Sequence, residues 1–593
     1  MAVNSYKQDE LQRDVPKRVT LARLYRYLFA YKKEIAVVLL LMGVTVTVAL
    51  FNPLIIERAV NVHVAGRDVE GLLRLAVAAL VLNGIWLAGV KARMVIMARV
   101  SNQIVLDIRE ELYVHIQTLG LRFFDSRPTG KILARVIGDV NSLKEMMANS
   151  VTTLIPDAVT VIAVITIMLV KSPWLALSAL ATLPVLGIGM YIVMIRGHKR
   201  WQAVRQKTSN INAYVHENFS GIRVVQSFSA QQESQDAFET VLAEHETAFV
   251  RAVSMADAFG PVIDVTWGLG GFFLYFIGIR VLHMGSADVG TFLAFATYLS
   301  MFWSPIRNLA NMYNRIVNNI SSAERIFDIL DTEPELADRS DAYEMPPIEG
   351  RVEFDHVTFA YPDEPEREVI SDICFDIRPG ETIALVGPTG AGKTTIISLI
   401  SRFYDAVSGE IRIDGHPVGK VTLHSLRSQM GVMTQENFLF SGTVRENICY
   451  GKLDATEDEM IWAAKAVGAH DFIMKLEKGY DTQLQGESSL SVGQRQLLAF
   501  ARTLVSQPRI LILDEATSSI DTHTEQMVQK GIAALLAGRT SFVIAHRLST
   551  IKKANRIFVV DEKQILEEGS HEELLAKKGH YYNLYQAQFK NLM

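Results

Sequence analysis

Cysteine is nearly absent: the 593 residues include two, Cys374 and Cys449. That excludes a disulfide scaffold and a cysteine-rich zinc module, and it suits a reducing compartment. A surplus of positive charge is also missing, since 59 basic residues face 64 acidic ones for a net charge of −5. Chains whose main partner is nucleic acid carry a basic surplus or patch, so no nucleic-acid partner is expected. Charge of either sign is thin, at 21% of residues against 49% hydrophobic, and mean hydropathy is +0.17. Such a balance argues against extensive disorder and against a wholly soluble protein.

The apolar residues lie mostly before about residue 320. Ile35–Ile56 is a run of 22 residues without a charge, and Ser172–Ile195 is another of 24. Each is long enough to cross a hydrocarbon core of about 30 Å as a helix. Stretches near 72–93, 148–170, 258–279 and 289–306 are four further candidate spans, two of them interrupted by Asp157 and Asp264. The first run starts too late and extends too far for a signal peptide. With six spans, Lys and Arg number 8, 9 and 7 in residues 1–34, 91–146 and 196–257, against 3, 1 and 1 in the opposite connections. This bias predicts a multi-pass protein of the cell membrane with its N terminus and C-terminal half in the cytoplasm. The two long inner connections read as helical hairpins, broken at Asp125–Gly130 and Ser220-Gly221. Their tips, Phe123–Ala134 and Asn212–Gly221, are expected to touch a cytosolic domain, although ordinary turns read the same way.

Residues 331–349 are acidic, contain proline and show no periodicity, which reads as a linker between a 1–330 membrane domain and a 350–593 domain. Beyond it, short runs rich in Ile, Val and Phe alternate with helical ones. Strands are expected at 352–354, 382–386, 410–413, 510–513, 541–544 and 556–560, with helices at 393–403, 457–468, 493–506 and 523–536. The alternation predicts an α/β domain on a largely parallel sheet.

Gly387-Pro388-Thr389-Gly390-Ala391-Gly392-Lys393-Thr394 matches G-x-x-x-x-G-K-[ST] at every fixed position, and Thr395 follows it. An apolar strand precedes it and a helix follows, the context in which backbone amides turn onto phosphates at a helix N-terminus. Lys393 is expected to bridge the β- and γ-phosphates of ATP, with the Thr394 hydroxyl on Mg²⁺. Ile510–Leu513 leads to Asp514, placed to hold the Mg²⁺ shell, and to Glu515, placed to polarise the attacking water.

Ser489-Leu490-Ser491-Val492-Gly493-Gln494 then resembles the LSGGQ signature of ABC transporter ATPases. The resemblance implies further roles: Tyr361 stacking on adenine, Gln435 as the glutamine that contacts Mg²⁺ and the membrane domain, Asp521 in the D-loop, and His546 as the switch histidine. Gln485-Gly486-Glu487 is similar to the coupling segment of exporters. Six spans ahead of such a domain are similar to a type IV exporter half-transporter. The expected fold is therefore an all-α six-helix transmembrane domain fused to an α/β P-loop ABC ATPase domain.

One position departs from the signature, because Val492 stands where the family has glycine. A valine held at positive φ would be strained by ~1–3 kcal/mol; at negative φ it is harmless. The family implies a dimer with a second half-transporter, identical or not. In it, Leu490–Gln494 of one chain meets ATP held by the other, and alternating access exports small amphipathic compounds. An ATP-gated channel or regulator and a siderophore-type importer on the same scaffold are the alternatives. Asp157 and Asp264 are candidate substrate contacts, because intramembrane charge often faces a cavity; packing is the plainer reading.

Overall fold

The computed structural model describes residues 16–285, 288–433, 438–484, 490–514, 522–545 and 548–589. The chain divides into two compact units, Met1–Thr118 with Ser126–Thr332, and Leu119–Asp125 with Glu333–Met593.

The first unit is helical. Among the described residues, five helical runs are long and apolar enough to cross a membrane: Lys32–Val64, Val69–Thr118, Thr129–Lys171, Pro173–Ser220 and Gln231–Arg280. A sixth helix, Val289–Leu330, begins with the shorter apolar stretch Val289–Trp303. Fifteen residues rise only about 22 Å, and Pro305 and Arg307 follow them, so this element is weaker by composition than the other five. Apolar side chains point outward along much of the bundle: Leu73, Leu80 and Leu87 are 66, 75 and 63% exposed on one helix. An aqueous surface would not tolerate so continuous an apolar face, whereas lipid does. The interior is built from Val164, Met168, Leu175, Ala179, Ile263, Leu274, Phe295 and Leu299.

Beyond the apolar stretches the helices continue far past the bilayer. Val69–Thr118 has 50 residues, about 75 Å at the α-helical rise. The first break expected from the sequence separates the short helices Leu121–Asp125 and Thr129–Leu133; the second separates Leu183–Ser220 from Ile222–Ser227. Leu119–Asp125 belongs to the second unit, and 212–221 to the first.

The second unit holds strands β1 (Val352–Ala360), β2 (Glu368–Ile377), β3 (Thr382–Val386), β4 (Ser408–Ile413), β5 (His416–Pro417), β6 (Met430–Met433), β7 (Gly442–Thr443), β8 (Gln483–Leu484), β9 (Ile510–Asp514), β10 (Thr540–Ile544), β11 (Arg556–Asp561) and β12 (Gln564–Gly569). The main sheet runs β12-β11-β3-β10-β9-β6, parallel except for β12. Its central strands are buried on both faces, which explains their unbroken apolar runs Thr382–Val386 and Ile510–Leu513. A second, antiparallel sheet runs β2-β1-β4-β5. It was not expected from the sequence.

Within the stretch that reads as a linker, the part nearest β1 is docked onto this unit. Met345 and Ile348 are buried in its core, and their amides donate to Ser425 Oγ and Gln429 Oε1, both at 2.8 Å. Two apolar residues at i and i+3 suffice to fold down an otherwise polar segment.

Candidate nucleotide site

The phosphate loop lies between β3 and the helix Lys393–Ile400. Gly387 has φ 152°, and a Cβ there would meet the Val560 carbonyl oxygen of β11 at 2.1 Å; Gly392 has φ 102°, and a Cβ there would meet Ile370 of β2 at 2.9 Å. Only glycine lets the loop pass this close to the sheet while turning its amides toward the helix end. Lys393 is buried, with Nζ donating to the carbonyls of Gly387 at 2.8 Å and Pro388 at 2.7 Å. Burial lowers the pKa of this ammonium, while the carboxylates of Asp514 and Asp561 oppose that shift. A buried cation at a helix N-terminus is a site for a polyanion.

Thr394 and Thr395 occupy the first turn of that helix, and Thr395 is buried within 3.1 Å, oxygen to oxygen, of the Tyr361 hydroxyl. Tyr361 also stands edge-on to Phe359 and Tyr404, with ring centroids 5.1 and 5.4 Å away. The residue expected to receive adenine is thus braced on one side by aromatics and tied to the phosphate-loop helix. Asp514 ends β9, and its charge is felt by Lys393. The Thr394 hydroxyl and the Asp514 carboxylate are hard-oxygen donors of the kind that suits Mg²⁺.

The signature opens the helix Val492–Val505. Ser491 is its N-cap: Ser491 Oγ accepts from the Gln494 amide at 3.3 Å, and Gln494 Oε1 accepts from the Ser491 amide at 3.0 Å. The serine oxygen uses a lone pair for the cap, so its proton remains to donate to a phosphate. Leu490 and Gly493 are buried and anchor the turn.

Val492 is the first helical residue, lacks the positive φ that would strain it, and is 48% exposed. Of the two readings left open by the sequence, the structure selects the unstrained one. Val492→Gly is accordingly expected to leave stability unchanged or lower it by up to about 1 kcal/mol, because glycine is the poorer helix former. Thermal unfolding of the purified variant measures this; a gain of stability would locate strain at the position after all.

Four of the expected site residues, Gln435, Glu515, Asp521 and His546, lie outside the described residues, as does Gln485-Gly486-Glu487. Asp157 accepts from Asn308 Nδ2 at 3.1 Å, the packing arrangement, while Asp264 sits on an exposed turn of Phe259–Arg280. Tyr298, Phe302 and Trp303 are core residues, and Trp267 and Phe272 are exposed.

What sequence reasoning missed is the set of polar partners that anchors Leu119–Asp125 within the second unit. Arg122 donates to Glu335 at 2.6 Å and to Asp363 at 2.9 Å, and Asp125 accepts from the Tyr404 hydroxyl at 3.0 Å. Tyr404 in turn stands edge-on to Tyr361, the residue expected to receive adenine. The available signal was Arg122 set against Phe123-Phe124, a basic and aromatic group beside a predicted break.

Comparison with known proteins agrees with this geometry. Residues 35–306 match the ABC transporter transmembrane region, and residues 370–518 match the ABC transporter family. An uncharacterized ABC transporter ATP-binding protein of Bacillus subtilis is 38% identical across 98% of this chain and 97% of its own length. An ATP-dependent lipid A-core flippase of Syntrophus aciditrophicus is 40% identical across 84% and 82%, and a fatty acid ABC transporter of Mycobacterium bovis is 39% identical across 81% and 76%. Among solved structures, a bacterial Atm1-family ABC exporter with ATP bound superposes with a TM-score of 0.76 at 28% identity, covering 94% of this chain and 98% of that one. A phosphate loop, a capped signature helix and a lipid-facing bundle in one chain, matched along almost its whole length, place it in the ABC transporter family, as an exporter that couples ATP hydrolysis to transport.

Proposed function

We propose that the working unit is a pair of such chains with twelve spans, exporting amphipathic compounds by alternating access. The observation that carries the pairing is that the chain holds one phosphate loop and one signature cap. ATP gripped by Lys393 and the loop amides of one chain presents its γ-phosphate to Ser491 and the helix end of the other. The attraction between them draws the two ATPase domains together. Glu515 then takes a proton from the attacking water, His546 holds the γ-phosphate, and loss of that phosphate weakens the clamp. Thr394, Asp514 and Gln435 would hold Mg²⁺, which neutralises phosphate charge when bound.

Leu119–Asp125, packed among residues of the ATPase unit, is the segment through which closure reaches the helices. The basic bias of residues 1–34, 91–146 and 196–257 supports a cytoplasmic N terminus and ATPase domain. An amphipathic substrate is favoured because similar proteins are named for lipid A-core, fatty acids and multidrug export, all molecules with an apolar body.

The test is ATP turnover and vesicle accumulation with this chain alone, reconstituted in lipid, using a fluorescent lipid and a cationic dye as probes. Cooperative turnover with uphill accumulation of either probe establishes a self-sufficient exporter. Turnover appearing only after a second half-transporter is added makes the pair heteromeric. Conduction that runs only downhill refutes export in favour of an ATP-gated channel.

A further inference from the structure

The antiparallel sheet carries a group of side chains that nucleotide chemistry does not use. On β2, Ile373 is buried, so Asp372 and Cys374 on either side of it both face solvent. On β1, the buried Val357 likewise turns its neighbour His356 outward. The β1–β2 register slips between Phe354 and Val357, and His356 and Asp372 both take left-handed backbone, at φ 50° and 54°. This bulge brings the three side chains together. His356 Nδ1, an Asp372 carboxylate oxygen and Cys374 Sγ all lie within 4.8 Å of one another. His356 Nδ1 is 2.6 Å from Asp372 Oδ1, and the His356 amide donates to Cys374 Sγ at 3.2 Å.

The geometry points to a surface metal site on the ATPase domain, in which His356, Asp372 and Cys374 bind a divalent transition ion of the zinc class. Imidazole, carboxylate and thiolate together select a borderline-soft ion; Mg²⁺ and Ca²⁺ take oxygen ligands and avoid sulfur. Three protein ligands leave the fourth position of a tetrahedron to water. With bonds of about 2.0–2.3 Å, ligand atoms in such a site stand roughly 3.3–3.8 Å apart. The His356–Asp372 contact therefore opens by about 1 Å on loading while the widest separation closes by a similar amount. Both motions are within reach, because the two side chains are 72 and 64% exposed. The ion takes the place of the His356 Nδ1 proton, which shifts to Nε2 in the neutral ring or leaves to solvent from the imidazolium, and it displaces the thiol proton of Cys374 to solvent.

The site would act as a clip. β1 runs on from His356 to Ala360, next to Tyr361, and β2 begins just before Ile370, which packs beneath Gly392. A bound ion pins the two strands about 16 Å from the adenine contact without entering the nucleotide site.

The experiment uses the full chain in nanodiscs, freed of any affinity tag and reduced, titrated with Co²⁺ and then Zn²⁺. The expected result is one Co²⁺ per chain with a thiolate charge-transfer band, displaced by one equivalent of Zn²⁺. Cys374→Ser removes the band, and Cys449→Ser keeps it. His356→Asn and Asp372→Asn, which tolerate the left-handed backbone, weaken Zn²⁺ binding at least tenfold while ATP binding stays as in the parent chain. Absence of the band in the parent chain, its survival in Cys374→Ser, or Zn²⁺ affinity unchanged by the two Asn variants overturns the site.

Discussion

Lys393→Ala is expected to lose ATP binding and hydrolysis together, with turnover falling roughly 10²–10³-fold, as when one preorganised charge donor is taken from a phosphate or oxyanion site. The ammonium is buried against its own loop, donating to the carbonyls of Gly387 and Pro388, and Asp514 and Asp561 favour its charge. Its removal takes the cation from the phosphate loop and leaves the Gly387 and Pro388 carbonyls without their donor, so the attraction for a polyanion is lost. Glu515→Gln should separate the two steps. The amide keeps the side chain's size, so ATP binds, but it cannot accept the water's proton, and hydrolysis falls about 10²–10⁴-fold. Binding of a fluorescent ATP analogue, read beside phosphate release, distinguishes the two variants. Hydrolysis by Lys393→Ala within threefold of the parent would remove that lysine from the phosphate site.

The phosphate loop was readable from sequence because each of its residues is constrained locally. The strand before it must be buried on both faces, and the structure returns Thr382–Val386 to the residue. β9 likewise extends its predicted run by one residue, Asp514, because the polar end of a buried strand lies where the sheet opens to solvent. Of the antiparallel sheet, β1 and β4 were expected as strands, but β2 escaped detection for an equally local reason. In β2, Ile373, Phe375 and Ile377 alternate inward, but Ile370 is out of step with them. The left-handed Asp372 resets the two-residue period, and a pattern search sees two fragments too short to count.

Other features were illegible because they are made at a distance. The break after Asp125 could be placed from Pro128 and Gly130, but the partners of Arg122 are 213 and 241 residues further along the chain. Val492 shows a third case. Its effect depended on a dihedral angle that composition does not reveal, and the Ser491–Gln494 cap supplies the answer by starting the helix at that residue.

Asp139→Ala is expected to destabilise the helical unit by ~3 kcal/mol, the lower end of the range for breaking a buried ion pair because Arg325 keeps some contact with solvent. Asp139 sits at the end of the π-helical turn Ala134–Asp139, whose wider i→i+5 turn marks a departure from the surrounding helix. Its carboxylate accepts from Ser322 Oγ and Arg325 Nε, at 2.9 and 2.8 Å, and from Arg135 at 3.3 Å, joining the inner hairpin to the last helix. Burial by itself raises the carboxyl's pKa, but the hydrogen bonds and charge of Arg325, Ser322 and Arg135 outweigh it and hold it below the usual range. A depressed acid stabilises the fold above its unfolded pKa of about 4, and this contribution fades as pH falls through the lower folded value. The gap in unfolding temperature between the parent chain and Asp139→Asn should therefore be constant from pH 8 to 5 and narrow below about pH 4. Asn can still accept from Ser322 and lacks only the charge, so its loss should be smaller than that of Ala. Equal stability of the Ala variant and the parent at pH 7 would show that the two helices are joined by packing alone, whereas a gap that closes between pH 8 and 6 would assign the effect to a different titrating group.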